Sequence, residues 1–486
     1  MSILHYVTIS ALLTDLYQLT MASGYLKSGA QHREAVFHIS FRRNPFGSGY
    51  AIAGGLAAAI DYLRNFHFTG DELAYLRSLK AADGSALFAR DFLDYLRALR
   101  LTVDVDAIPE GSVVFAHEPL LRVRGPLIHA QLVETTLLNL LNFSTLIATK
   151  AARIVTAAQG SSVLELGLRR AQGPDGGLSA SRAAYLGGCS GTSNVLAGQT
   201  FGIPVAGTHA HSWVMAFEDE QLAFDAYADA MPNNTLLLVD TYDTLEGVRR
   251  AIDTGRRLAT RGAKLLGIRL DSGDLAWLSA QARQMLDDAG LKDARIVASN
   301  DLDEELIASL IQQGAKIDTF GVGTRLVTAY DQPALGGVYK LGAIRDAGGE
   351  WQHRIKVSEQ AVKTSIPGVL NVRRFSCDGV IRGDLLWDEL TGAPAGSTIV
   401  DPADPTRSRM FENCEGRDLL APILRGGELV YATPPLAQSR EHARREVESL
   451  DPAIRRLKNP HEYPVGLEPR LHARRMEMIR AARRNA

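Results

Sequence analysis

The chain has 486 residues, 46% of them hydrophobic, more than one hydrophobic core ordinarily serves, so two or more domains are expected. Lys and Arg total 53 against 55 Asp and Glu, a formal charge of -2, which gives no whole-chain field favouring a nucleic acid or a membrane. Cys189, Cys377 and Cys414 are far apart without metal-ligand spacing, which fits a reducing cytoplasm better than a disulfide framework, and Cys189 reads as a buried small residue.

In chain order, the apolar run at residues 6–13 has no basic region before it and is closed by Asp15, so it does not read as an export signal. No run reaches the roughly 20 apolar residues of a membrane span. A helix is expected at 56–66 and strands at 101–105, 113–115 and 120–123, punctuated by Pro-Glu-Gly and Glu-Pro turns. From about 150 to 330, apolar β-rich runs at 163–168, 204–208, 235–241, 264–270, 295–299 and 319–323 alternate with helical stretches, the pattern of a parallel sheet or barrel. One helix starts at Asp303 as N-cap, buries Leu306, Ile307, Leu310 and Ile311, and stops at Gly314. A strand-rich region follows at 339–432. The tail from Gln438 reads as helical, and its arginines between Arg470 and Arg484 read as a solvated face, with Leu471 and Ile479 packing.

Parallel architectures gather ligands at the carboxyl ends of their strands, and the polar motifs fall there. They are Glu165-Leu-Gly-Leu-Arg169, Thr208-His-Ala-His211, Asp240-Thr-Tyr-Asp243, Arg269-Leu-Asp-Ser-Gly-Asp274, Ser299-Asn-Asp301 and Gly321-Val-Gly-Thr324. The Gly321–Thr324 segment could cradle a phosphate with backbone N–H groups, or simply let backbones approach. Asp271 and Asp274 could hold ribose hydroxyls or hydrated Mg²⁺, or cap a helix. Arg169 and Arg269 suit planar carboxylates, with inter-strand ion pairs as the alternative. His211, directly after a strand and before a helix, is placed to be phosphorylated, to protonate or to polarise. A turn at Ala210 would leave only one of His209 and His211 facing the site.

As an ordered set, Thr14-Asp-Leu-Tyr-Gln-Leu-Thr-Met21, Phe41-Arg-Arg-Asn-Pro-Phe46, Glu165-Leu-Gly-Leu-Arg-Arg-Ala-Gln-Gly-Pro-Asp175, Ser193-Asn-Val-Leu-Ala197, Gly207-Thr-His-Ala-His-Ser212, Arg269-Leu-Asp-Ser-Gly-Asp274 and Leu335-Gly-Gly-Val-Tyr-Lys340 resemble the nicotinate phosphoribosyltransferase family over most of the chain. The resemblance implies an irregular α/β barrel at 149–341, and a discontinuous α/β sandwich formed by 1–148 with 342–486. It implies a cytoplasmic homodimer with shared active sites that joins nicotinate to 5-phosphoribosyl 1-diphosphate as the entry to NAD. ATP and Mg²⁺ would take part, and His211 would be a transient phosphohistidine. Residue by residue, Tyr17 would stack on the pyridine from the neighbouring subunit. Arg169, Thr208, Ser212 and Arg269 would line the base, Asp271 would hold the ribose, and Asn300, Gly323 and Thr324 would hold the 5-phosphate. Lys356 and Lys363 would bind phosphate from the second subunit. His211, Asp271 and Arg269 form the implied catalytic set. His209 departs from the family, where an apolar residue is expected.

The rivals are a nicotinamide transferase, disfavoured because Gly188-Cys-Ser-Gly-Thr192 lacks an acidic residue, and a silent nucleotide-binding homologue, disfavoured because His211, Asp271 and Arg269 are present. Quinolinate should call for more basic side chains. An unrelated phosphosugar aldolase or isomerase should carry a lysine or carboxylate base at a strand end, whereas Lys264 begins its run.

Overall fold

The computed structural model describes residues 9–360 and 363–484, so the start of the apolar run at 6–13 lies outside the described residues. The chain divides into two compact units, Ile147–Pro333 and the combination of Met1–Leu146 with Ala334–Ala486. The second division falls before the expected 341/342 because Val338–Arg345 is one strand, paired antiparallel along its length with Glu34–Ser40. A strand cannot be shared between units without breaking its ladder.

In the central unit six strands run in the order Gly191–Thr192, Ser162–Glu165, Thr319–Val322, Arg295–Ser299, Gly267–Leu270 and Leu236–Leu238, every pair parallel. Strands covered on both faces need apolar residues throughout, and Thr319–Val322 is buried at every position. The expected strand at 204–208 is reduced to a single parallel bridge, Thr192 to Val205. Thr192 N donates to the Pro204 carbonyl and Ala206 N donates to Thr192 O, and Pro204, having no N–H, cannot extend the ladder further back. On the other side, the Thr208 hydroxyl donates to the Leu236 carbonyl and Leu238 N donates to His209 Nε2. This segment spans the two sheet edges and closes an irregular α/β barrel.

The strand-to-helix turns are set by aspartates. Asp243, Asp274 and Asp303 accept N–H bonds at the starts of Thr244–Ala259, Leu275–Asp288 and Glu304–Gln312. Asp274 is thus spent on capping, which leaves Asp271 for the barrel mouth. The predicted inner face of the last helix is narrower than the pattern suggests. Ile307 and Leu310 are buried, but Leu306 is 39% exposed, because a helix on the outside of a barrel meets the strands along one ridge. Gly314 (φ 81°) ends that helix, and Ala315 N donates to Leu310 O.

The flanking unit is built from both ends of the chain. Its seven-stranded sheet places Glu34–Ser40 between Val338–Arg345 and Leu121–Pro126, and pairs Asp104–Ala107 with Ala421–Arg425. A six-stranded sheet completes the α/β sandwich. The tail is not helical throughout, since Val465–Leu467 joins this second sheet between helices Leu436–Glu448 and Pro469–Arg484. Leu471 packs as expected, and Arg475 is buried, donating to the carbonyls of Ser365 and Pro402. These contacts occupy the guanidinium within the fold.

The reading of the cysteines requires correction. Cys377 and Cys414 form a disulfide, Cα–Cα 4.6 Å, whereas Cys189 is buried as expected. Strand Leu370–Cys377 pairs antiparallel with Glu415–Asp418, Ser376 facing Glu415, so the next step along the ladder sets Cys377 opposite Cys414. A separation of 37 residues conceals this register.

One buried imidazole makes the flanking unit acid-sensitive. His38 Nε2 accepts from Leu370 N at 3.0 Å, and burial, with Arg122 nearby, pulls its pKa down to about 3. It stays neutral in the folded chain while an unfolded His protonates near 6.5. Its contribution is full above that value and is lost as pH falls from 6.5 toward 3, on the order of 5 kcal/mol in all. Acid unfolding followed by circular dichroism should show this window flatten in His38→Gln. An unchanged slope would discount the residue.

Candidate active site

The site begins with a buried carboxylate that shapes the first strand-end turn. Glu165, with no exposed surface, accepts from Gly167 N, from Ser181 Oγ at 2.8 Å and from Thr192 Oγ1 at 2.5 Å. Asn194 Nδ2 donates to Ser181, and its Oδ1 caps helix Val195–Phe201. Much of the dense Gly/Ser/Thr segment is therefore an internal scaffold around Glu165. Gly167 is required by close approach, since a Cβ there would lie 2.3 Å from the Val327 side chain and 3.0 Å from Gly323 O. The turn continues into Leu168–Arg170, which presents Arg169 outward. Glu165→Ala should strand the donors that converge on it and cost about 3 kcal/mol, read as a lower urea midpoint. A change under a few tenths would refute the scaffold role.

At the carboxyl ends of the strands lies a cavity of about 580 Å³, bounded by Arg169, Thr208, Arg269, Asp271, Asn300 and Thr324, among others. Its lining comes wholly from residues between Leu166 and Thr324. Gly321 and Gly323 are on its wall, as is His209. Arg269 is at the end of Gly267–Leu270, and its Nε is buried without a hydrogen-bond partner. Burial pulls its pKa down, Asp271 and Asp240 oppose this, and Arg169 adds to it. An arginine in that state is a ready receptor for an anionic group.

His211 opens the short helix His211–Met215, with Nδ1 3.2 Å from Thr241 Oγ1 and Nε2 3.7 Å from Asp271 Oδ2. Asp271 is fixed in turn, its Oδ1 accepting from Ser299 Oγ and its backbone N donating to Asp240 Oδ2 at 2.8 Å. Ser272 Oγ donates to the same Asp240 oxygen, while Asp240 Oδ1 is buried without a partner. Thr241, Ser299 and Asp240 therefore hold the catalytic candidates. Their strand-end positions were visible in sequence, but nothing there assigned them a role.

There is no turn at Ala210, whose backbone is extended at φ -104° and ψ 170°. The two histidines are distinguished by surroundings instead. His209 is buried against Phe224 and Tyr227, and burial brings its pKa down to about 4. Its Nε2 takes the Leu238 N–H, so the polar residue at this position closes the barrel. Ser212 is exposed and outside the cavity lining.

Tyr17, Lys356 and Lys363 belong to the flanking unit. Tyr17 is half exposed on helix Leu16–Lys27. Lys363 shares a small pocket with Arg42 and Lys340, and burial lowers the Lys340 pKa, with Lys356 and Arg42 adding to it. The residues between the two lysines at 361–362 lie outside the described ones.

An α/β barrel whose mouth offers a buried guanidinium, a fixed carboxylate, a held imidazole and glycine-rich strand ends is the scaffold of an enzyme for small anionic molecules. The comparisons are specific within that class. Residues 12–142 match the nicotinate phosphoribosyltransferase N-terminal domain, 162–357 the nicotinate phosphoribosyltransferase family and 371–475 its C-terminal domain. Nicotinate phosphoribosyltransferase of Bacillus subtilis (strain 168) is 43% identical over 471 residues, covering 96% of this chain and 94% of that one. The Homo sapiens enzyme is 38% identical over 521 residues, 95% of each. The crystal structure of human nicotinic acid phosphoribosyltransferase superposes with a TM-score of 0.84 at 34% identity, covering 96% of this chain and 99% of that chain. The chain belongs to the nicotinate phosphoribosyltransferase family.

Proposed function

We infer that this chain transfers the 5-phosphoribosyl group from its 1-diphosphate to the ring nitrogen of nicotinate, releasing diphosphate, and couples the reaction to ATP through transient phosphorylation of His211. The observation that carries the reading is the convergence, on one cavity, of Arg269 for the nicotinate carboxylate and Asp271 for the ribose, with His211 held against Asp271. The anomeric carbon passes through an oxocarbenium-like state, so catalysis requires positioning and charge neutralisation more than a base. The pyridine nitrogen attacks without losing a proton, in keeping with a mouth of guanidinium, carboxylate and hydroxyl groups.

Asn300, Gly323 and Thr324 are suited to the 5-phosphate, and Arg169 and Thr208 to the base; Ser212, being exposed, belongs to the same reading only through an entering substrate. For Mg²⁺ the fit rests on Asp240, whose orphaned buried Oδ1 stands beside the Asp271 turn. No cluster of three or more metal-type ligands exists among the described residues, and a Mg²⁺ held largely by substrate oxygens needs none. Bound there by Asp240 and Asp271, the ion would offset the negative charge of the diphosphate. The exposed Tyr17 and the cationic group of Lys356, Lys363, Lys340 and Arg42 suit contribution to a second copy's site in a homodimer. We assign the reaction to the cytoplasm as the entry from nicotinate to NAD; no helix among the described residues is long and apolar enough to cross a membrane.

The test is incubation with γ-labelled ATP and Mg²⁺, an alkaline quench, then addition of nicotinate and 5-phosphoribosyl 1-diphosphate, with His211→Ala alongside. Acid-labile label that requires His211 and is discharged as nicotinate mononucleotide forms is the expected result. Product without label would remove the phosphohistidine and keep the transferase. Preference for nicotinamide, or nucleotide binding without product, would establish one of the rivals.

A further inference from the structure

Beneath the strand-end turns that carry Asn300 and Thr324 runs a closed ring of ion pairs that the reaction chemistry does not use. Lys150, wholly buried on helix Glu134–Ala157, places Nζ 2.7 Å from Glu304 Oε2 and 2.5 Å from Asp331 Oδ2. Arg325 reaches Asp331 Oδ1 and Asp303 Oδ2, each at 3.6 Å, and lies over the Tyr330 ring at 4.2 Å. Asp303 and Glu304 are neighbours in sequence, which closes the circuit, and Arg153 adds a bond of 2.8 Å to Glu304. Three cations thereby meet three carboxylates.

The circuit joins two particular turns. Asp303 and Glu304 end the turn that starts at Asn300, whose backbone is held at φ 138°, a strained conformation for a side-chain-bearing residue. Arg325 directly follows Thr324 at the second turn. The ring is buried at Lys150 and Glu304 and partly open at Arg325 and Asp331. Its buried part adds little net stability compared with an apolar replacement, but its charges and directions fix geometry, and breaking it leaves charge uncompensated. Such a device is useful where two backbone segments must hold a set spacing.

We propose that Lys150 and Arg325 are positioning residues that set the spacing between the Asn300 turn and the Gly323–Thr324 turn, and through it the affinity for the 5-phosphate. This rests on the phosphate reading given above. Neither residue is part of the cavity lining. Their loss therefore acts on the phosphoribosyl donor and leaves the Arg269 wall as it was.

The experiment compares wild type, Arg325→Met, Arg325→Lys and Lys150→Met. It measures KM for 5-phosphoribosyl 1-diphosphate and for nicotinate, and the thermal shift given by ribose 5-phosphate. The KM for 5-phosphoribosyl 1-diphosphate should rise about tenfold in Arg325→Met, with the nicotinate KM and kcat within about twofold, and the thermal shift should shrink in step. Arg325→Lys should recover part of the effect. Arg325 is partly exposed, so its variant remains informative if Lys150→Met fails to fold. A lower melting temperature with both KM values unchanged overturns the proposal. If wild type gains no protection from ribose 5-phosphate, the phosphate reading falls and the proposal with it.

Discussion

Replacing Arg269 by alanine should lower kcat/KM for nicotinate by roughly a thousandfold, equivalent to about 4 kcal/mol of charge-assisted, two-pronged hydrogen bonding. The guanidinium is mostly buried at the end of Gly267–Leu270, and its Nε has no protein hydrogen bond to lose, so the anion would be its main partner. Arg269→Lys should recover only a small part, because an ammonium is a point charge and cannot match a planar carboxylate. The same substitutions should narrow the preference for nicotinate over nicotinamide, since the amide gains nothing comparable from a cation. Steady-state kinetics with both bases decide the matter. Equal losses for the two would mean that Arg269 supports the barrel rather than reads the carboxylate.

Asp271 should give a second large effect, with two parts that separate. Asp271→Ala removes the acceptor for Ser299 and the carboxylate facing His211, and should reduce kcat/KM for 5-phosphoribosyl 1-diphosphate by roughly a hundredfold or more. Asp271→Asn keeps an oxygen for Ser299 but removes the charge beside the imidazole. It should retain more of the donor affinity while reducing label transferred from ATP to His211. Parallel loss of both readouts in the two variants would contradict a divided role.

These expectations draw on residues whose local pattern was plain. Asp243, Asp274 and Asp303 stand just before helical runs and do cap them, and the polar motifs other than Thr208–His211, which follows a single bridge, do lie at the carboxyl ends of parallel strands. What escaped the pattern depends on neighbours distant in the chain. Thr241 lies thirty residues from His211, and Ser299 twenty-eight from Asp271, so their pairing needs adjacent strands in register. Leu306 fits the apolar period of its helix yet faces outward, because period does not reveal how wide the contact is. The segment at 204–208 looks like any other strand, and only Pro204 hints that its ladder is incomplete.

By itself the sequence determined the alternation of short buried strands with capped helices, the strand-end placement of Arg269 and Asp271, and the family. Each of these is written in local periodicity or in contiguous motifs. The tertiary structure alone decided that His209 closes the barrel while His211 meets Asp271, that Cys377 bonds Cys414, and that the buried Lys150 pairs with Asp331. Those are long-range pairings, fixed by strand register and by the cost of leaving a buried charge or donor alone, and no local pattern carries that information.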